Sequence, residues 1–142
     1  MTRLEPAELE LWYAWKRASE AVRSAVADDI VKATGLSDPD FGILTRVVEL
    51  GDGRLRQSEL AASMGWHRSR LSHQLTRMCE RGLVERREAS GGVDVLVTAR
   101  GRELADAARP VHADAVRAHL LSAIAPAQRP SFLAVLEALG RR

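Results

Sequence analysis

Apolar residues recur at helical spacing along most of this chain, and the places where that period changes or stops mark its elements. From Pro6 to about Ala33, Trp12, Trp15, Val22, Val26 and Ile30 fall near one face, and Leu9, Leu11, Tyr13 and Ala18 widen it. This predicts one long helix, with Pro6 at its first position, Glu8 and Glu10 at the positive end of its dipole, and Gly35 at its stop. So wide an apolar face on so long a helix exceeds what a small domain covers, so part of it is expected to pack on a second chain. A second helix opens at Ser37-Asp38-Pro39-Asp40, which combines an N-cap serine, a helix-start proline and a capping-box acid. Phe41, Leu44, Val47 and Val48 face inward along it, and Gly51-Asp52-Gly53 ends it in a turn. Arg54-Leu55-Arg56 has room for a single sheet pairing. Gln57 to Met64 then reads as a short third helix broken by Gly65, and 67–81 as a fourth, ended by Gly82.

Beyond Gly82 the period becomes alternating. Leu83 to Arg87 and Val93 to Val97 predict two strands, with Glu88 to Gly92 as the turn between them. Thr98 suits the N-cap of a fifth helix that tolerates Gly101 near its start. That helix runs through Leu104, Ala108, Val111, Ala115, Val116 and Leu120 to Ile124, with a kink or break expected at Pro110. Ala125-Pro126 separates a last helix carrying Phe132, Leu133, Val135, Leu136 and Leu139. Two short helices joined through Gly65 and followed by a basic hairpin make a winged helix-turn-helix plan. The fold class expected is therefore mainly α with a small β-hairpin wing, and the long helices at both ends are left to build something else.

Composition narrows the function. At 142 residues the chain is one domain by size, and 46% hydrophobic with 28% charged residues is ordinary for a folded protein. No apolar run reaches the roughly 18 residues of a membrane span, and the N-terminus carries acids where a signal peptide needs an apolar stretch. The single cysteine, Cys79, permits no internal disulfide, which fits a reducing cytoplasm. Arginine far outnumbers lysine, as in GC-rich bacterial genomes. The net charge is only +2, but from Arg54 to Arg87 eight arginines face three acids. A basic module between mildly acidic flanks is the footprint of a protein that meets phosphate with one part of its chain.

The fourth helix concentrates that charge. With Leu71 at zero on a helical wheel, Leu75 and Met78 stay within about 40° of it, whereas Ser69, Arg70, His73, Thr76 and Arg77 fall between about 140° and about 260°. Nothing apolar interrupts this outer face. These residues are expected to reach base edges or the groove, since arginine can fork onto the two acceptors of guanine. Ser58, Arg68, Arg86 and Arg87 are placed for phosphate, and Arg81 for the negative end of the helix. A polar outer face is also what any solvated helix carries. The preceding short helix, the glycine break and the following hairpin are what favour double-stranded DNA.

QSELAASMGWHRSRLSHQLTRMCERGLVERRE followed by VDVLVTARGRELADAARPVH resembles the MarR family of bacterial winged helix-turn-helix regulators. The likeness extends over nearly the whole chain, and the order and spacing of its parts are more specific than any one motif. It implies a single MarR-type domain over 1–142, with 36–98 as the DNA-binding part and 1–35 and 99–142 as N- and C-terminal dimerisation helices. It also implies a homodimer on a pseudo-palindromic operator, commonly a repressor released by a small, often phenolic or aromatic-acid effector. Family wings commonly carry an arginine near the tip. Here the tip is Ala89-Ser90-Gly91-Gly92, and Arg86 and Arg87 on the ascending strand are the available substitutes.

Other clusters are open to two readings. Trp12, Tyr13 and Trp15 could wall a ligand pocket, with Arg17, Arg23 or Arg46 anchoring a carboxylate, although an aromatic stripe at helical spacing is more often interface core. His112 and His119 share a helix face but lack the further ligands of a metal site, and Cys79 borders the core side of the fourth helix, as a packing cysteine does. No cofactor motif, phosphate loop, nucleophile elbow or catalytic carboxylate pair is present, so no enzyme is expected. Two functions remain: a DNA-binding repressor, and a winged-helix module whose basic face docks an acidic protein partner without reading DNA.

Overall fold

The computed structural model describes residues 2–141. In chain order it contains α1 (Pro6–Thr34), α2 (Asp38–Gly51), β1 (Arg54–Arg56), α3 (Gln57–Met64), α4 (Arg68–Glu80), β2 (Val84–Ala89), β3 (Gly92–Val97), α5 (Ala99–His119), two 3-10 turns, and α6 (Arg129–Gly140). The chain divides into two compact units. One is Ile30–Val111, and the other takes the chain up to Asp29 and from His112 onward.

Ile30–Val111 is built on a closed apolar core. Ile43, Leu44 and Val47 of α2, Leu60 of α3, Leu71, Leu75 and Met78 of α4, and Val95 of β3 are all fully buried. α2 starts as its sequence predicts: the Ser37 hydroxyl accepts from the Asp40 amide at 3.2 Å, and the Asp40 carboxylate accepts from the Ser37 amide at 2.9 Å. The three strands form an antiparallel sheet in the order β1-β3-β2, with Leu55 and Arg86 both opposite Val95.

The hairpin is tighter than the alternation suggested. Its strands extend to Ala89 and Gly92, so the turn is Ser90-Gly91 and not the whole of 88–92. Both turn residues have positive φ (48° and 75°), the geometry that matches the twist of a two-residue hairpin. α5 also differs from expectation. It continues through Pro110 and ends at His119, and Leu121–Ala123 forms a 3-10 turn where the sequence suggested helix. Ala105 and Ala108 are fully buried in the turns before Pro110, which holds the helix although the proline supplies no amide there.

Gly101 is required, not merely tolerated. A Cβ at this position would collide with the Leu83 carbonyl and press on Leu44, because α5 begins against the chain leaving α4. Thr98 makes the same junction. Its hydroxyl donates to the Gly82 carbonyl at 2.6 Å and accepts from the Gly101 amide at 3.0 Å, so the cap of α5 is tied to the end of α4.

The second unit has almost no core of its own. Among its described residues Ala115 is buried, while Trp12, Tyr13 and Trp15 of α1 and Phe132, Leu133, Val135 and Leu139 of α6 are exposed. Its polar contacts include His119, whose Nε2 donates to Asp29 at 2.8 Å. No helix among the described residues is long and apolar enough to cross a membrane.

Candidate nucleic-acid interface

α4 presents its two sides as the periodicity predicts. Leu71, Leu75 and Met78 are buried, and Ser69, Arg70, His73, Thr76 and Arg77 are exposed. Its first turn is capped by a histidine. His67 has extended backbone, and its Nδ1 accepts from the Ser69 amide at 3.2 Å. Because that nitrogen is an acceptor, the Ser69 hydroxyl donates to it at 2.9 Å, which leaves the proton of the neutral ring on Nε2.

The two arginines expected to read bases are both held in place. Arg70 lies over the Trp66 ring, 3.7 Å from its centroid. Stacking occupies the guanidinium face and leaves its edge donors available. Arg77 Nη2 donates to Gln74 Oε1 at 2.6 Å, and Gln74 Nε2 donates to Asp40 Oδ1 at 2.8 Å. Asp40 is 1% exposed. Its other oxygen accepts from Arg81 Nη1 at 2.6 Å, besides the Ser37 amide. Arg81 is therefore the charge partner of a buried carboxylate, not a cation serving only the end of its own helix. Its Nη2 also donates to the Gly35 carbonyl, at 3.3 Å.

The wing arginines, both expected at phosphate, separate. Arg86 turns back onto α4, donating to the Thr76 hydroxyl at 2.9 Å and to the Ser72 carbonyl at 3.4 Å. Thr76 in turn donates to the Ser72 carbonyl, so its hydroxyl is engaged on both sides. Arg87 is exposed and pairs loosely with Glu85 at 3.3 Å. At the base of the wing, Asp94 of β3 holds Arg54 at 2.7 Å and Arg56 at 3.4 Å, and Arg56 Nη1 donates to the Ala89 carbonyl at 2.5 Å.

These elements enclose a cleft of about 360 Å³ lined by Arg56, Gln57, Ser58, Arg68, Gly91 and Val93, among others. Ser58 and Arg68, assigned to phosphate from sequence, come together here. Gln57, whose Oε1 is buried and accepts no hydrogen bond from any described residue, was not foreseen. Nor were Arg56 as a wing brace, Trp66 as a platform, His67 as a cap or Gln74 as a link. Trp66 precedes the His67 cap and lies outside α4, so no helical spacing announced its contact with Arg70. Histidine is an uncommon cap, and Gln74 is visible only once Asp40 is placed beside it.

The suggested ligand residues are not all in one unit. Trp12, Trp15, Arg17 and Arg23 belong to the unit containing most of α1, and Arg46 to the other. On α1, Arg23 lies about 20° from Trp12 around the helix axis and Arg17 about 140° away. Lys16 sits 5.8 Å from the Trp12 ring centroid, and Arg46 Nη1 donates to the Gly42 carbonyl at 3.0 Å. No group of three or more His, Cys, Asp or Glu able to hold a metal occurs among the described residues, and Cys79 is half-buried.

A short helix, a glycine turn, an outward-facing polar helix and a hairpin braced against it define a winged helix-turn-helix protein. A model described as MarR family matches residues 34–92. AbsC, a MarR family transcriptional regulator from Streptomyces coelicolor, is 28% identical; the match covers 98% of this chain and 95% of that one, with a TM-score of 0.89. Sco3205, a MarR family regulator from the same organism solved in complex with DNA, is 26% identical, with 98% and 89% of the two chains covered and a TM-score of 0.90. The transcriptional repressor CouR, bound to p-coumaroyl-CoA, is 25% identical over 99% of both chains, with a TM-score of 0.79. No curated protein sequence matches the chain significantly. The winged-helix segment thus matches the MarR family model, and the fold of nearly the whole chain is that of the MarR family transcriptional regulators AbsC and Sco3205.

Proposed function

We propose that this chain binds DNA sequence-specifically as a homodimer and represses transcription from a pseudo-palindromic operator until a small effector, of aromatic-acid type, releases it. One observation carries the DNA reading: the outer face of α4 is wholly polar, and Arg70 and Arg77 on it are each held by a neighbouring side chain. Ser69, Arg70, His73, Thr76 and Arg77 are assigned to base edges and the groove. Ser58, Arg68 and Arg87 are assigned to phosphate, and Arg86 to the joint between wing and helix, from which it can still neutralise a nearby phosphate. The DNA complex of Sco3205 supports this reading.

The homodimer rests on the exposed apolar side chains of α1 and α6, in a unit that buries almost none of its own. Residues 36–98 form the DNA-binding part in this proposal, and 1–35 and 99–142 the dimerisation part. Repression and an aromatic effector draw support from CouR; Trp12, Trp15, Arg17, Arg23 and Arg46 are the residues to test for effector binding. The deciding experiment compares duplexes from the gene's own upstream region with scrambled duplexes, then titrates a panel of aromatic acids against the complex. Preference for the native duplex with release by an acid is the expected result. Equal binding to both duplexes would overturn DNA readout and favour an acidic protein as the partner.

A further inference from the structure

We infer that Gln74, oriented by the buried Asp40 behind it, is a positioning residue that fixes the Arg77 guanidinium for base recognition; this rests on the DNA-binding reading above. A carboxylate only accepts hydrogen bonds, so the Gln74 amide must turn its NH₂ toward Asp40, where the contact is 2.8 Å. That turns its carbonyl oxygen toward Arg77, which donates at 2.6 Å. The reversed amide would set oxygen against carboxylate and NH₂ against guanidinium, losing both bonds at once. The donors therefore run one way, from Arg77 to Gln74 to Asp40.

Both inner members are shielded from water, Asp40 at 1% exposure and Gln74 at 7%, so neither can exchange its protein partner freely for solvent. Asp40 is itself held by the Ser37 amide and by Arg81, which supplies the compensating charge on the oxygen that Gln74 does not use. One nitrogen of Arg77 is thereby anchored while its remaining N–H groups stay available, and a long side chain held before DNA arrives loses less rotamer freedom on binding. Arg87, whose partner is an exposed glutamate at 3.3 Å, has no comparable support.

The test is a double-mutant cycle on operator and scrambled duplexes with Gln74→Met, Arg77→Ala and the pair, each first shown to be folded by thermal melting. Met keeps the length of Gln74 and removes the carbonyl acceptor. The ratio of operator to scrambled affinity should fall about tenfold in each single variant. In the double variant it should fall no further than in Arg77→Ala alone. Multiplied effects in the double, or an unchanged ratio in Gln74→Met, would overturn the inference. Gln74→Leu serves in the same cycle if the methionine variant does not fold. A second measurement needs no DNA: the NMR order of the Arg77 Nε–H group in the free protein should drop in Gln74→Met, and unchanged order counts against the inference. If the wild type has no operator preference, the DNA reading fails by itself and the order measurement alone decides the role of Gln74.

Discussion

Arg77 and Arg87 carry the same charge and are both exposed, but their settings predict different losses. Arg77 is anchored toward the outer face of α4, and Arg87 stands on an open strand beside Glu85. Arg77→Ala should lower discrimination between operator and scrambled DNA, by about tenfold for one good base contact. Arg87→Ala should weaken both complexes about equally and lower the salt dependence of binding by about one ion. Equal losses of discrimination from the two variants would refute this division. Trp66 yields a second prediction. Trp66→Ala removes the surface on which Arg70 stacks and should weaken operator binding about three- to tenfold, whereas Trp66→Phe, which keeps a ring, should retain most of it. Titration by fluorescence anisotropy would measure both. The outward set of α4 was legible at this scale because a single buried stripe fixes which side faces out. The supports were not, because each depends on a neighbour that spacing does not announce, Asp40 for Gln74 above all.

Between elements, the junction of α4, the wing and α5 depends on close backbone approach. Gly101→Ala places a methyl group against the Leu83 carbonyl, which cannot retreat without moving the start of β2. It should cost about 3 kcal/mol in urea unfolding, while Gly140→Ala, at a position open to solvent, should change stability by less than about 1 kcal/mol. Asp40 joins α2 to α4 in the same way. Asp40→Ala would strip partners from the Ser37 amide, Gln74 and Arg81 together, and should lower stability by about 2–3 kcal/mol, moderated because Arg81 is half-exposed. Most element starts could be read from local chemistry: Ser37 and Thr98 bind the backbone groups their caps require. Two ends could not. The apolar period overran the end of α5 at His119, and alternation could not show how far the hairpin would zip before Ser90-Gly91 turned it.

At the level of the whole molecule, one unit closes a core and the other leaves aromatic and aliphatic side chains on its surface. If a second copy covers that surface, Leu133→Glu on α6 should place an unpaired charge in the interface and shift the protein to monomer in sedimentation. Operator affinity should then fall by at least about a hundredfold, since two linked half-site contacts become independent. A dimer that survives the substitution would move the interface off this part of α6. The sequence determined the element order, the inward stripe of each helix and the basic outer face of α4, because caps, periods and charge act over a few residues. Only the tertiary structure decided that Arg81 neutralises Asp40, that Arg86 braces the wing against Thr76, and that Gly101 has no room for a side chain. Those depend on groups distant in the chain meeting at a few ångströms, which no local pattern encodes.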